Sequence, residues 1–198
     1  MSMAFKTTGV VGTAAAGMTD QGFDASRASS GARGEGLTAA ILRGYSDRAL
    51  IIHSLRLPVK LKTDIDHLVV SGEGILAIDS KLWRPGYYHG WFGTPMRGVR
   101  REPHVSAAAT EKALEVLTSM LGADRIDPET FSLVAVHGAK KAESTTVSSS
   151  LSWRPTPIIG AAKLEDRVEK FLTLHPGPAE DRLARALQRI HRKGRARR

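Results

Sequence analysis

Two carboxylates stand where a soluble protein would rather place another Val, and a lysine lies two residues past the second. Asp66 lies in the run Ile65-Asp66-His67-Leu68-Val69-Val70, and Asp79 and Lys81 follow Ile75-Leu76-Ala77-Ile78. Both runs read as short strands, bounded by Gly and Ser and joined by a Gly72-Glu73-Gly74 turn. An Asp inside such a run is costly to bury without a charged partner or a metal. Side chains alternate along a strand, so Asp79 and Lys81 share a face. The length of the hairpin loop then decides where Asp66 points. A four-residue loop, Ser71 to Gly74, sets Asp66 opposite Asp79, and a two-residue loop, Glu73-Gly74, sets it opposite Lys81. A three-residue loop without a bulge pairs Asp66 with Ser80 and sends it to the other face, because a one-residue slip flips every side chain. A shared site therefore demands an even loop.

The chemistry follows from the residue types. Two carboxylates on one face repel, which raises one pKa unless a cation sits between them. Oxygen-only ligands favour a hard ion, Mg²⁺ or Mn²⁺, over zinc. A nearby lysine orients or activates a water, or stabilises negative charge developing on a phosphate. Metal-assisted hydrolysis of a phosphodiester is the implied reaction. The bland alternative leaves Asp66 and Asp79 in water at strand ends, with Lys81 as an ordinary exposed partner.

Several elements must position these groups. Residues 1–30 are rich in Gly, Ala, Ser and Thr without an apolar period and read as a flexible leader. A helix is expected over residues 32–44, with Leu37, Ala40, Ile41 and Gly44 as its buried stripe. Glu35 falls in its first turn, where an acid suits the helix dipole, and it would serve the site as a third carboxylate facing the strand pair. Residues 49–55 read as a strand that extends through Leu57 to Leu61, with His53 and His67 structural or at the rim. After Lys81, an aromatic and glycine-rich stretch from Leu82 to Gly93 suggests a hairpin or lid beside the site. Arg84, Arg97, Arg100 and Arg101 are placed to contact phosphates there. A helix over 103–121 opens near Pro103 and stops at Gly122. A buried strand from Phe131 to His137, a polar stretch over 140–152, a short strand near 157–160 and two further helices complete the chain.

Composition bounds the rest. The 198 residues suit one ordinary domain plus tails, and 41% hydrophobic residues are enough for a core. With no cysteine, disulfides, thiolate metal sites and a cysteine nucleophile are excluded. No window approaches the roughly 18 apolar residues of a membrane span, and the N-terminus makes a poor signal peptide, so a cytoplasmic protein is expected. The net charge of +9 is concentrated at the end: from Arg182 on there are Arg185, Arg189, Arg192, Lys193, Arg195, Arg197 and Arg198 and no acid. Such a cluster suits a polyanion, with salt-dependent binding through counterion release. Otherwise it is a solvated basic tail, on a last helix not strongly amphipathic in the membrane sense.

Three blocks carry a resemblance: Gly31-Ala32-Arg33-Gly34-Glu35, then Ile65-Asp66-His67, then Ala77-Ile78-Asp79-Ser80-Lys81-Leu82-Trp83-Arg84-Pro85-Gly86. In this order they resemble the nuclease-related domain, NERD, which is similar in turn to the PD-(D/E)XK restriction-endonuclease-like superfamily. The likeness runs from about residue 31 to about 138, with a weaker continuation to Leu174. It implies an α/β fold, a mixed central sheet flanked by helices, with a core of helix, three strands, helix and strand. It also implies that Glu35 is the first-helix acid, Asp66 the principal metal ligand, Asp79 the second ligand and Lys81 the residue that activates or steers the attacking water. Relatives often carry a Gln or Lys facing the metal from the helix after the hairpin, and no residue between His104 and Lys112 clearly takes that place.

The reading is thus a nuclease-like domain over 31–175, followed by a basic helix and tail over 176–198. It would be a Mg²⁺- or Mn²⁺-dependent nuclease acting on DNA, with RNA as an alternative substrate and a homodimer as an option for cutting both strands. The competing reading is an inactive nuclease-like module that binds DNA through its basic tail.

Overall fold

The computed structural model describes residues 5–15, 25–59, 64–92, 94–102, 106–139, 144–153 and 155–196, the side chains of 25–28 excepted. At its centre is an antiparallel meander of β2 (Leu50–Leu55), β3 (Ile65–Ser71) and β4 (Gly74–Trp83). Strand β8 (Glu129–Gly138) runs parallel to β4 along its whole length, and β11 (Thr156–Gly160) runs parallel to β8. At the edges lie β10 (Ser152–Trp153), antiparallel to β11, and β1 (Gly9–Val11), parallel to β2. Among the described residues this is a seven-stranded mixed sheet, in the order β1-β2-β3-β4-β8-β11-β10.

Period-two patterning decides what covers each face. Leu50, Ile52, Leu68, Val70, Ile75 and Ala77 point to one side, where α2 (Ala108–Ala123) and α4 (Asp181–Arg195) pack on them. Ile51, Val69, Leu76 and Ile78 point to the other, under Leu42 of α1 (Ala25–Leu42) and Leu164, Val168, Phe171 and Leu172 of α3 (Leu164–Leu174). Strands buried on both faces carry near-continuous apolar runs, which is how β2 to β4 read. The chain order of helix, three strands, helix, strand is the expected one, and the layered α/β arrangement is compatible with a restriction-endonuclease-like fold.

The aromatic stretch past Lys81 builds a second sheet, ordered β7 (Arg100–Arg101), β6 (Thr94–Arg97), β5 (Gly86–Trp91), β9 (Thr145–Val147). Buried Tyr88 turns inward with Leu151 onto Val134, Val136 and Ile158 of the main sheet, and Trp83 lies against it at 4.5 Å between ring centroids.

Four expectations need correction. The flexible leader contains β1, because the apolar β2 would otherwise present an open edge that Val10 and Val11 cover. The buried stripe of α1 is rotated: Leu37 is 40% exposed, whereas Gly34, Glu35, Thr38 and Leu42 face the sheet. Polar residues take this face because they meet polar groups on β4 and β8. Helix α2 passes through Gly122, and the left-handed residue after it is Arg125, with φ 56°; Pro103 lies outside the described residues. Finally, α4 is no appendage. It buries Leu183, Ala184, Ala186, Leu187 and Ile190 in the main core and is amphipathic for that reason. Its start is set by Glu180, whose carboxylate accepts the N–H groups of Arg182 and Leu183. No helix among the described residues is long and apolar enough to cross a membrane.

Candidate active site

The β3–β4 ladder runs from His67↔Ile78 to Ser71↔Gly74 and is closed by Gly72-Glu73. The loop is even, in the register that extends to Asp66 across from Asp79. Gly72 takes the positive φ, 50°, that a two-residue turn requires. Asp79 and Lys81 follow Ile75 and Ala77 on the α2/α4 side of β4, and Asp66, just beyond the last ladder pair, turns its carboxylate to the N–H of Ser80 between them.

Their contacts are short. Lys81 Nζ donates to Asp79 Oδ1 at 2.7 Å, and Asp66 Oδ2 accepts the backbone N–H of Ser80 at 2.8 Å. Asp79 is buried, while the Lys81 side chain is 40% exposed and connects it to solvent. Glu35 is buried on α1, beside the contact of Gly34 with Leu82, and its Oε2 accepts the N–H of Ala15 at 2.7 Å.

Three carboxylates against one ammonium leave the site short of positive charge. Burial, with the Asp79 and Glu35 charges added, pushes Asp66 well above the ordinary aspartate range. Burial also raises Glu35, against the Ala15 N–H and Lys81, which favour its charged form. Burial opposes the charge on Lys81, but Asp79 and Asp66 outweigh it and its pKa is raised. Lys81 is therefore an ammonium at neutral pH.

Oxygen-only donors in a negative field fit a hard divalent cation, and a deficit of positive charge is what such an ion relieves. The carboxylates are nonetheless engaged elsewhere, Asp66 with Ser80, Asp79 with Lys81 and Glu35 with Ala15. Among the described residues no three His, Asp or Glu side chains are gathered as a cation cage. Asp66 and Asp79 fit as donors; a third is not drawn in.

Behind the hairpin lies a buried polar chain, of which the sequence marked only His53 and His67, as structural or at the rim. On the α1/α3 face, His53 Nδ1 meets His67 Nδ1 at 2.7 Å, and His67 Nε2 meets Ser80 Oγ at 3.1 Å. Ser80 Oγ donates to Thr38 Oγ1 at 2.8 Å, and Thr38 Oγ1 meets His137 Nε2 at 2.8 Å. One orientation satisfies every link, with protons donated from His53 through His67, Ser80 and Thr38 to His137. Burial holds all three histidines below the ordinary imidazole value, His67 furthest. Ser80 belongs to both sides of the sheet, its N–H on Asp66 and its hydroxyl in this chain. The rotated helix face, polar at Thr38, was the available signal.

The expected phosphate contacts are scattered. Arg84, Arg100 and Arg101 are exposed, but Arg97 pairs with Glu102 at 3.3 Å. On α4, Arg189 pairs with Asp124 at 2.9 Å and Arg192 lies over the Phe5 ring at 5.1 Å. Lys193 and Arg195 are exposed, and Arg197 and Arg198 lie outside the described residues. Between His104 and Lys112 the first turn of α2 offers Glu111, which accepts the Thr156 hydroxyl at 2.8 Å, and no Gln.

Comparison with known proteins places these features in one group. No curated protein and no solved structure matches the chain. The family model of the nuclease-related domain matches residues 30–137, which span α1, the β2–β4 meander, the small-sheet hairpin, α2 and β8. The chain belongs to the nuclease-related domain (NERD) family.

Proposed function

We propose that this protein is a divalent-metal-dependent nuclease that hydrolyses phosphodiester bonds of DNA, and that it works in the cytoplasm. The observation that carries the reading is the Asp79–Lys81 pair at 2.7 Å, with the Asp66 carboxylate bonded to the N–H of Ser80 between them. Asp66 and Asp79 would hold Mg²⁺ or Mn²⁺, with Glu35 supporting them. The bound ion would supply Lewis-acid stabilisation of the phosphate charge and a water of lowered pKa. Lys81, charged at neutral pH, is suited to donate hydrogen bonds to the attacking water or to a phosphate oxygen rather than to accept a proton. Ser80 fixes the Asp66 carboxylate through its N–H. In the reaction the water oxygen bonds to phosphorus, one P–O ester bond breaks, and the departing oxygen takes up a proton.

The second reading, a nuclease-like module that binds DNA without cutting, is favoured by one observation: all three carboxylates are engaged within the protein. The discriminating experiment is cleavage of plasmid and single-stranded DNA with Mg²⁺, with Mn²⁺ and with chelator, for the wild type, Asp79→Ala and Lys81→Ala. Metal-dependent nicking that both substitutions abolish supports the nuclease. Binding without cleavage under any metal favours the module.

A further inference from the structure

The small sheet has one covered face and one open face. Tyr88 and Gly90 point inward, Tyr88 into the core and Gly90 so close to Ser150 that a Cβ would lie 2.4 Å from its carbonyl oxygen. Alternation then turns Tyr87, His89 and Trp91 outward. Tyr87 is 52% and Trp91 62% exposed, and Phe92 at the turn is 94% exposed. The Tyr87 and His89 rings stack at 5.3 Å with 24° between their planes, and Trp91 meets Phe92 edge-on at 5.3 Å. The register continues this face through Met96, opposite His89, to Arg101, opposite Met96.

Large aromatics left in water call for a partner. Charge selects which: from Leu82 to Arg101 the chain holds Arg84, Arg97, Arg100 and Arg101 and no acidic residue. Rings bordered by arginine suit a ligand with flat π faces and a negative backbone, which describes single-stranded nucleic acid. Duplex DNA keeps its base faces stacked inside and offers these rings nothing to stack on. Tyr87 and His89 already stack on each other, so a base would stack on the open face of that pair or on Trp91 rather than between the two. The platform is also tied to the candidate site, because β5 follows β4 directly. Tyr87 lies six residues beyond Lys81, a chain path of at most about 22 Å.

We infer that the open face of β5–β6–β7 is a stacking platform for single-stranded DNA, with Tyr87, His89 and Trp91 as the base contacts and Arg101 on the backbone. The inference names the substrate class of the proposed nuclease and rests on that reading for its purpose, though not for the binding itself.

The test is binding of labelled oligothymidylate and of a duplex to the full chain in chelator, where no cleavage intervenes. Tyr87→Ala and Trp91→Ala should each weaken oligothymidylate binding by roughly 5- to 100-fold, with little change for duplex. Trp91→Phe should retain most of the affinity, and Leu174→Ala, which removes an exposed apolar residue on α3, should change nothing. Arg101→Ala should weaken binding and flatten its salt dependence by about 0.7 in log–log slope. The inference is overturned if the wild type does not bind the oligonucleotide, or if the alanine variants bind it as the wild type does. It is equally overturned if Trp91→Ala only converts a dimer to monomers without changing that affinity. Aromatic-dependent binding by a protein that cuts no DNA with Mg²⁺ or Mn²⁺ supports the platform while removing the nuclease reading.

Discussion

Asp66 reaches from β3 across to β4 and accepts the N–H of Ser80 at 2.8 Å, the residue between Asp79 and Lys81. This bond ties the Asp66 carboxylate to the strand that carries Asp79 and Lys81, whose Nζ in turn donates to Asp79 at 2.7 Å. If Lys81 acts through its charge, its removal should cost chemistry and not binding. Lys81→Ala and Asp79→Asn should each lower the cleavage rate at least about 100-fold, while DNA affinity in chelator changes by less than about threefold. Parallel turnover and anisotropy measurements check this; equal losses in both would return Lys81 to a plain phosphate contact.

The crowding of carboxylates predicts a pH-dependent penalty. Asp66 has its folded pKa well above its unfolded value near 3.8. The fold thus favours the protonated acid, and stability is lost as pH rises from the unfolded value through the folded one. Asp66→Asn should remove that loss. Without divalent metal its Tm at pH 7.5 should exceed the wild type by roughly 2–4 °C, the response of a domain this size to about 1 kcal/mol, and the gap should close below pH 4. Added Mg²⁺ or Mn²⁺ should raise the wild-type Tm and leave the variant unmoved.

Part of this arrangement was legible from strand alternation: Asp79 and Lys81, two apart on β4, share a face, whereas β3 breaks alternation beside Asp66, with Ile65 and Leu68 both on the α2/α4 side. The helix was harder. Counting apolar residues put Leu37 inside, but α1 lies over Ser80 and His137, so its inner face carries Thr38 and Glu35 instead. The same blindness hid β1, whose three residues are strand only because β2 offers them an edge. The last helix was read more easily: Leu183, Leu187 and Ile190, spaced as one apolar face, are the residues that α4 buries in the core. Periodicity reports how apolar a face is, and tertiary partners decide which face is buried.

The buried histidines predict the opposite pH trend on the acid side of neutrality. His53, His67 and His137 are held neutral by burial, and His191, which bonds the backbone of His53, is lowered as well. Their folded pKa values lie below the unfolded value near 6.5, so stability is full above that pH and falls as the pH drops below it. Each histidine contributes up to about 1.4 kcal/mol per pH unit within its window. Wild-type Tm should fall between pH 7 and pH 5, and His137→Gln, which keeps a polar partner for Thr38, should reduce the fall. An unchanged slope in that variant would remove His137 from the account.

The arginines of α4 should separate into two groups. Arg189 is held by Asp124 on the surface, where such a pair contributes about 0–1 kcal/mol. Lys193 and Arg195 are exposed near the end of the helix. In salt titrations of duplex binding, Lys193→Ala and Arg195→Ala should each lower the log–log slope by about 0.9, and Arg189→Ala should lower it by less. Equal slopes in all three would mean that Arg189 exchanges Asp124 for phosphate.

Gly194 decides whether α4 can lie on the sheet at all. A Cβ there would stand 1.9 Å from the carbonyl oxygen of Arg56, which is backbone at the end of β2 and has little room to move. One turn earlier, His191 bonds the backbone of His53, so the last turns of the helix lie against the end of β2. Gly194→Ala must lift this end, weakening the contact of Ile190 with the core. The expected loss is about 1–3 kcal/mol by overpacking, read as a Tm lower by several degrees. Removing the chain from Asp181 onward uncovers the apolar residues of β2 and β3 beneath α4 and should leave no cooperatively folded domain, whereas ending it at Ala196 should leave the Tm within a degree or two. A cooperative transition in the shorter chain would show that α4 is the separable tail its composition suggests.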